Sequence, residues 1–390
     1  MENNRDGTVG GSHRALYDLV RNLDRGRFEP VVVFYQDNPF AERMRQVGVE
    51  VWLWDDVAPG DLDRRHRRLI GKVTHQARAV RHRVRFLRRV RASLVHMNNS
   101  PIAGIDDWLP AARWLRIPCI AHSRSAVGPR SFLHETLLRG FDRIIAVSDH
   151  VAATVEAAGF PAARLVRVYD GVDVAGVRSR VRRAPASVRA EFGIPESAFL
   201  VVMVGHLRSW KGQDTLLDAV ARLPADVRER TAVLLVGEAP PTDQAFLTRL
   251  QTLRSDLGLE RQVTLTGYRA DAIELMHAAD VVVHASTIPE PFGLVVVEAM
   301  ALGKAVIASS IGGPAEVVLP GTGLLFDPND AGALAEQLAR VARDPALRDR
   351  LGAAGRTRAQ DFDIAPCIHA VDDIYRQVLG SRAARAGAAP

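Results

Sequence analysis

Two glutamates, Glu290 and Glu298, stand eight positions apart in the stretch STIPEPFGLVVVEAMALGKAVIAS. The run ADVVVHAS ahead of them is apolar enough to be a buried strand ending near Ser286, and GLVVVEAMALG reads as a helix closed by Gly303. Ligands of an open parallel sheet bind at the carboxyl ends of its strands. One carboxylate therefore falls in a strand-to-helix loop and the other on the helix that follows. Together they make a pair of hydrogen-bond acceptors on the scale of a sugar.

A second constellation suits a phosphate. GHLRSWKGQDTLLDAV follows an aliphatic run and opens a helix near Gly212, which brings Arg208 and Lys211 to a helix start where backbone N–H groups are free. The arginine offers a planar fork and the lysine a mobile point charge; a solvated loop lysine would also explain the latter. SSIGGPAEVV repeats the device with Gly312, Gly313 and Pro314, and Glu316 inside the helix offsets its dipole. Gly10, Gly11 and Ser12 make a similar turn near the start of the chain. His122 ends the run PCIAH and sits where a strand would meet a ligand, whereas His96 lies deeper in its strand and Asn98 and Asn99 turn the chain. No histidine, cysteine or carboxylate spacing points to a metal, so none is expected.

The elements that must position these residues are legible from the aliphatic runs. At 390 residues, with 47% hydrophobic and 6% aromatic content, the chain is large enough for two α/β domains. Valine- and isoleucine-rich runs at 31–35, 49–54, 93–97, 118–122, 143–147 and 165–169 alternate with helical patterns, as in a parallel sheet covered on both faces. The pattern restarts at AFLVVMVG and continues through TAVLLVG, RQVTLTG, ADVVVHAS, KAVIAS and GTGLLF. Two doubly wound, Rossmann-like domains facing a cleft are expected: 1–175, a linker at 176–191, and 192–362. A helix over 363–380 is expected to pack back on the first domain, and 381–390 to fray.

The opening of the first domain departs from this plan. TVGGSHRALYDLV begins its glycine turn with only polar residues before it, so the central strand that should feed the turn is missing. A start placed downstream of the true one, or a trimmed chain, is the expected explanation, since an absent strand leaves its neighbours with an unpaired edge.

The net charge of +6 is concentrated. Between Arg64 and Arg91 there are twelve Arg or Lys residues, three histidines and no acid. Leu69, Val73, Ala77, Val80, Val84 and Leu87 recur at helical spacing, giving an amphipathic basic helix with His66, His75 and His82 expected in solvent. Such a helix suits an anionic membrane surface, although an ordinary arginine-rich outer helix has the same pattern. Nucleic acid is not expected, for no reading module accompanies the charge. Cys119 and Cys367 give no disulfide framework, and no apolar run reaches a membrane span. A cytoplasmic protein is expected, with peripheral attachment to the inner face of the membrane through 64–91 as the variant.

The run EPFGLVVVEAMALGKAVIASSIGGPAEVV, together with GHLRSWKGQ and IIAVSDHVAATVEAAGFPAARLVRVYDGVD, closely resembles the retaining glycosyltransferases of family 4, which have the GT-B architecture. The resemblance covers nearly the whole chain. It implies transfer of a sugar from a nucleotide-diphosphate sugar, bound by the second domain, to a hydroxyl acceptor bound by the first; no further cofactor is implied. Carried over, Glu290 meets donor-sugar hydroxyls, Glu298 the ribose, and Lys211 the diphosphate with Arg208 or His206 beside it. Phe292, Gly293 and Leu294 line the donor, Gly10 and Gly11 close over it, and His122 approaches the reacting centre. His122, Lys211 and Glu290 are the residues implied in catalysis. The chain departs from the family pattern at His206, where an arginine is usual, at Ala285 in place of proline, and at Asp170 in place of asparagine.

Three rival readings carry their own signatures. A nicotinamide dehydrogenase requires a GxGxxG after the first strand and an acid after the second, and that arrangement is absent. A sugar-nucleotide epimerase of the same fold, or a non-catalytic sugar-nucleotide-binding protein, shares the two-domain plan and stays open at this stage.

Overall fold

A computed structural model describes residues 1–2, 10–54, 69–102, 105, 107–128 and 132–387. The chain divides into two compact units, Met1–Gly171 with Ile364–Pro390, and Val172–Asp363.

In the second unit six aliphatic runs become strands: β7 (Phe199–Val204), β8 (Thr231–Val236), β9 (Val263–Gly267), β10 (Val281–His284), β11 (Ala305–Ser309) and β12 (Leu324–Phe326). All pairings are parallel, in the order β12-β11-β10-β7-β8-β9. Every β10 and β11 side chain is buried, which is why these runs lack polar alternation. The first strand of the unit, β7, is central. Order reverses between β7 and β10, so the loops after these two strands diverge and leave a crevice.

The first unit is built the same way from β1 (Val31–Phe34), β2 (Glu50–Leu53), β3 (Val95–Met97), β4 (Cys119–Ser123), β5 (Arg143–Ala146) and β6 (Leu165–Arg167). Here, however, β1-β2 and β3-β4-β5-β6 form two separate parallel sheets. The last helix, Ile364–Gly387, sends Ile368, Val371, Ile374 and Tyr375 into a core shared with Leu19, Ile120 and Ile145. It continues through part of the stretch expected to fray. Residues 176–191, read from composition as a linker, carry the helices Val174–Ser179 and Pro185–Glu191 and lie within the second unit. Val188 is buried there, and Arg189 is held by Asp280 at 2.8 Å.

The basic helix runs from Leu69 to Arg89, and residues 64–68, with His66, lie outside the described residues. Among its described side chains the buried line is His75, Ala79, Arg83, Phe86 and Leu87, whereas Ala77 is exposed and Val80 and Val84 are only half-buried. The expected face is thus rotated, and His75 is not in solvent. Arg83 causes the rotation: it is fully buried, 3.1 Å from Asp107, with its guanidinium over the rings of Trp54 and Trp108. A buried ion pair capped by aromatic faces overrides the simple apolar stripe.

Candidate functional site

The residues singled out in the second unit converge on the crevice between β7 and β10. β7 runs into Gly205 and His206, then a short 3₁₀ turn, Ser209–Lys211, leads to the helix Gln213–Ala221. Gly212 turns the corner at φ +77°, and a Cβ there would stand 1.9 Å from the Ala285 carbonyl oxygen. Only glycine lets the lysine loop lie against the end of β10. The Thr287 amide donating to the Trp210 carbonyl at 2.8 Å ties the same two loops.

Glu290 is held from its own strand end and from across the crevice. Lys211 Nζ and Ser286 Oγ both donate to its Oε1, and His284 Nε2 lies 2.9 Å from the same oxygen. Burial alone pushes this carboxyl up, but the Lys211 charge, then His284, with the hydrogen bonds of both, outweigh it and hold the group well below the usual carboxylate range. Its backbone is fixed as well: the Gly313 amide donates to the Glu290 carbonyl at 2.8 Å. Gly312, at φ +66°, leaves no room for a Cβ, which would stand 2.5 Å from that carbonyl oxygen. The glycine pair expected to approach a ligand thus supports the glutamate loop.

Glu298 is buried on the helix Leu294–Ala301, which Gly293 opens at φ +94°. Phe292 is buried against Phe362, ring centroids 5.6 Å apart. His206 is pushed down by burial and then by the charges of Arg208 and Lys211, so its imidazole is neutral rather than a replacement cation. Arg208 points its Nε toward Asp243, 3.8 Å away.

In the first unit the other expected residues gather at the carboxyl ends of β3 and β4. Gly10 and Gly11 open the helix Gly11–Asn22, and the Ser12 carbonyl accepts from Asn98 Nδ2 at 3.2 Å. His122 is 1% exposed, stacks on His96 at 5.6 Å, and neither of its ring nitrogens has a hydrogen-bond partner among the described residues. Burial, then the Arg124 and His96 charges, push it well below its usual range. Arg124 is engaged by Asp170 through Nε at 3.0 and 3.1 Å and through an Nη at 2.9 Å, and by Asn98.

Sequence reasoning missed three of these groups. His284 and Ser286 were in plain view in HAS, where only Ala285 drew notice; a histidine ending a buried strand four residues from a loop carboxylate was the available signal. Nothing in the sequence linked Arg124 to Asp170.

This architecture, two Rossmann-like units of parallel strands, is that of the GT-B glycosyltransferases. Residues 9–175 match Glycosyltransferase Family 4 and residues 186–358 match Glycosyl transferases group 1. The D-inositol 3-phosphate glycosyltransferase of Kineococcus radiotolerans is 30% identical over 319 residues, 74% of this chain and 72% of that one. That of Thermobifida fusca is 31% identical, covering 71% and 68% of the two chains. Anabaena HepE, solved in complex with UDP and glucose, superposes with a TM-score of 0.79 at 26% identity, over 96% of this chain and 98% of that one. The chain belongs to the family 4, group 1 glycosyltransferases and is a transferase enzyme.

Proposed function

We propose that the enzyme transfers a sugar from a nucleotide-diphosphate sugar, a UDP-sugar by the example of HepE, to a hydroxyl acceptor with retention at the anomeric carbon. The observation that carries this is the Lys211–Glu290–Ser286–His284 cluster at the strand-order reversal of the second unit. Lys211 supplies a cation for the diphosphate beside the free N–H groups of the helix Gln213–Ala221. Glu290, kept ionised, accepts hydrogen bonds from sugar hydroxyls, and Glu298 takes the ribose. A carboxylate held by three donors has no proton to give and is a weak nucleophile. The departing phosphate is then the group that receives the acceptor proton, and catalysis rests on alignment and charge neutralisation. The first unit binds the acceptor, with neutral His122 donating to or accepting from a hydroxyl. The names of the inositol-phosphate relatives favour a small-molecule acceptor.

Arg78, Arg81, Arg85 and Arg88 form an exposed row on the basic helix, and we assign to it contact with an anionic membrane surface. Salt-sensitive sedimentation with phosphatidylglycerol vesicles tests that part; no sedimentation at low salt removes it. Among the described residues no helix is long and apolar enough to cross a membrane.

The donor reading is tested by calorimetric titration of UDP and UDP-glucose, followed by NMR of the product anomer. Micromolar binding of UDP and an unchanged anomeric configuration are expected. No binding of any UDP-, GDP-, ADP- or dTDP-sugar, or an inverted product, would refute it.

A further inference from the structure

The carboxyl ends of β3 and β4 and the segment after β6 enclose a buried charge pair beside His122. Arg124 is 8% exposed and Asp170 4%. Arg124 Nε lies 3.0 and 3.1 Å from the two oxygens of the carboxylate, and an Nη lies 2.9 Å from Oδ1. On its other side the guanidinium donates to Asn98 Oδ1, and Asn98 donates in turn to the Glu2 carboxylate and to the Ser12 carbonyl. The arginine is therefore fixed from two directions, and both oxygens of Asp170 are occupied.

Asp170 Oδ1 also lies 3.9 Å from His122 Nε2. A carboxylate at that range favours the charged form of an imidazole. The other groups around the ring do not. β3 contributes His96, stacked on His122 at 5.6 Å with the planes 18° apart, and His96 Nδ1 is 2.6 Å from the Tyr375 hydroxyl of the last helix. Burial keeps that hydroxyl protonated, and the Cys367 thiol of the same helix is pushed up to about 12. The Met1 amine, on the His96 carbonyl at 2.7 Å, and the Glu2 carboxylate, held by Asn98, complete the titratable groups on this side. Among the described residues the contest at His122 is thus between Asp170, which draws a proton to the ring, and Arg124, which repels one.

We propose, given the acceptor-side role of His122 in the proposed transfer, that Arg124 is a positioning residue: by holding both oxygens of Asp170 it withholds that carboxylate from His122 and leaves the imidazole uncharged toward the acceptor. An uncharged ring both accepts and donates at a hydroxyl, whereas an imidazolium only donates. Glycosyl transfer also builds positive charge at the anomeric carbon, and a buried cation beside it opposes the reaction. With asparagine at 170 there is no carboxylate to withhold. Arg124 offsets the aspartate that this chain carries instead.

The test follows the His122 ring by NMR across a pH titration of histidine-labelled protein, its signals assigned by their loss in His122→Asn, beside the pH profile of kcat. Arg124→Gln keeps a hydrogen-bond donor without the charge, and Arg124→Lys keeps the charge but holds a single oxygen. Both are compared with the parent and with Arg124→Gln/Asp170→Asn, in a stabilising osmolyte that keeps weakened variants folded. The His122 midpoint is expected to rise by about two pH units in the Gln variant and by about one in the Lys variant. It should return toward the parent value in the double variant. Turnover of the Gln variant should fall as pH drops through the raised midpoint and recover above it, and the double variant should lose that dependence.

A midpoint that stays at the parent value in whichever of the Gln and Lys variants folds would overturn the proposal. So would a rise that persists once Asp170 is asparagine. The NMR midpoint does not depend on turnover, so a raised midpoint with a rate that ignores it would remove His122 from the transfer while leaving Arg124 in control of the charge on the ring.

Discussion

Replacing Lys211 with alanine separates donor recognition from structure. The ammonium donates to Glu290 and lies 4.5 Å from the centre of the Trp210 ring. A charge-assisted hydrogen bond from lysine to phosphate contributes about 1.5–3 kcal/mol. Its loss should raise the Kd of UDP roughly 10- to 150-fold, and because the proposed contact is with the diphosphate, UDP and UDP-sugar should weaken alike. Turnover should fall as well, since charge on the leaving phosphate grows in the transition state.

The same substitution leaves Glu290 buried with two donors, His284 and Ser286. Its carboxyl, now well below the ordinary value of 4.5, should rise. A depressed carboxyl contributes stability that is present above its unfolded value and lost as pH falls through the folded value. The variant should therefore be less stable than the parent at pH 7, with the gap closing in acid. Calorimetric UDP titration, steady-state kinetics and denaturant unfolding followed from pH 7 down to pH 2 measure all of this. UDP affinity and turnover both within twofold of the parent would refute the role given to Lys211; a stability gap independent of pH would refute the coupling to Glu290.

Glu290→Gln should spare or strengthen UDP binding, by freeing Lys211, while weakening UDP-sugar at least tenfold; calorimetry with the two ligands distinguishes these outcomes. Gly212→Ala forces a left-handed φ on alanine and drives its Cβ into the Ala285 carbonyl, so a loss of about 2 kcal/mol or more is expected by denaturant unfolding. Arg83→Met leaves Asp107 buried without its cation, and unfolding should show a loss of about 3–5 kcal/mol, reduced when Asp107→Asn is added. In the chain that begins at Met1, the amine falls from 8.0 unfolded to about 6 folded. The unfolded state then binds more protons between these values, so stability should climb by about 2–3 kcal/mol from pH 6 to pH 8.

The twelve strands among the described residues were legible because each is a short aliphatic run in a parallel sheet, and in central strands such as β4, β10 and β11 burial of every side chain removes the ambiguity of alternation. Loop positions of Lys211, Glu290 and Gly312 followed from the same runs, since a parallel strand fixes which of its ends carries the loop toward the ligand. Partners did not follow. Arg124 and Asp170 are 46 positions apart, and their pairing depends on how β4 and the segment after β6 are brought side by side. The buried face of the basic helix was misread for a related reason: hydrophobic periodicity assigns every arginine to solvent, and Arg83 is inside only because Asp107, Trp54 and Trp108 receive it. Asp170 stands where the family usually has asparagine, and its carboxylate is matched by the buried Arg124 guanidinium.

Two buried titratable groups at the candidate sites are driven in opposite directions. Glu290 is kept charged by Lys211 and His284, and His122 is kept neutral by burial and the neighbouring charge of Arg124. Environments that push such groups apart commonly mark an acid and a base, each poised near neutrality. Here both shifts lead away from neutrality: the carboxylate is too weak a base, and the imidazole too weakly basic, to take a proton from an acceptor hydroxyl near pH 7. What the two groups retain is hydrogen-bonding capacity, the glutamate as a fixed acceptor and the histidine as a neutral group whose two nitrogens have no hydrogen-bond partner among the described residues. Under the proposed retaining transfer, that division favours proton transfer to the departing phosphate over side-chain acid–base catalysis.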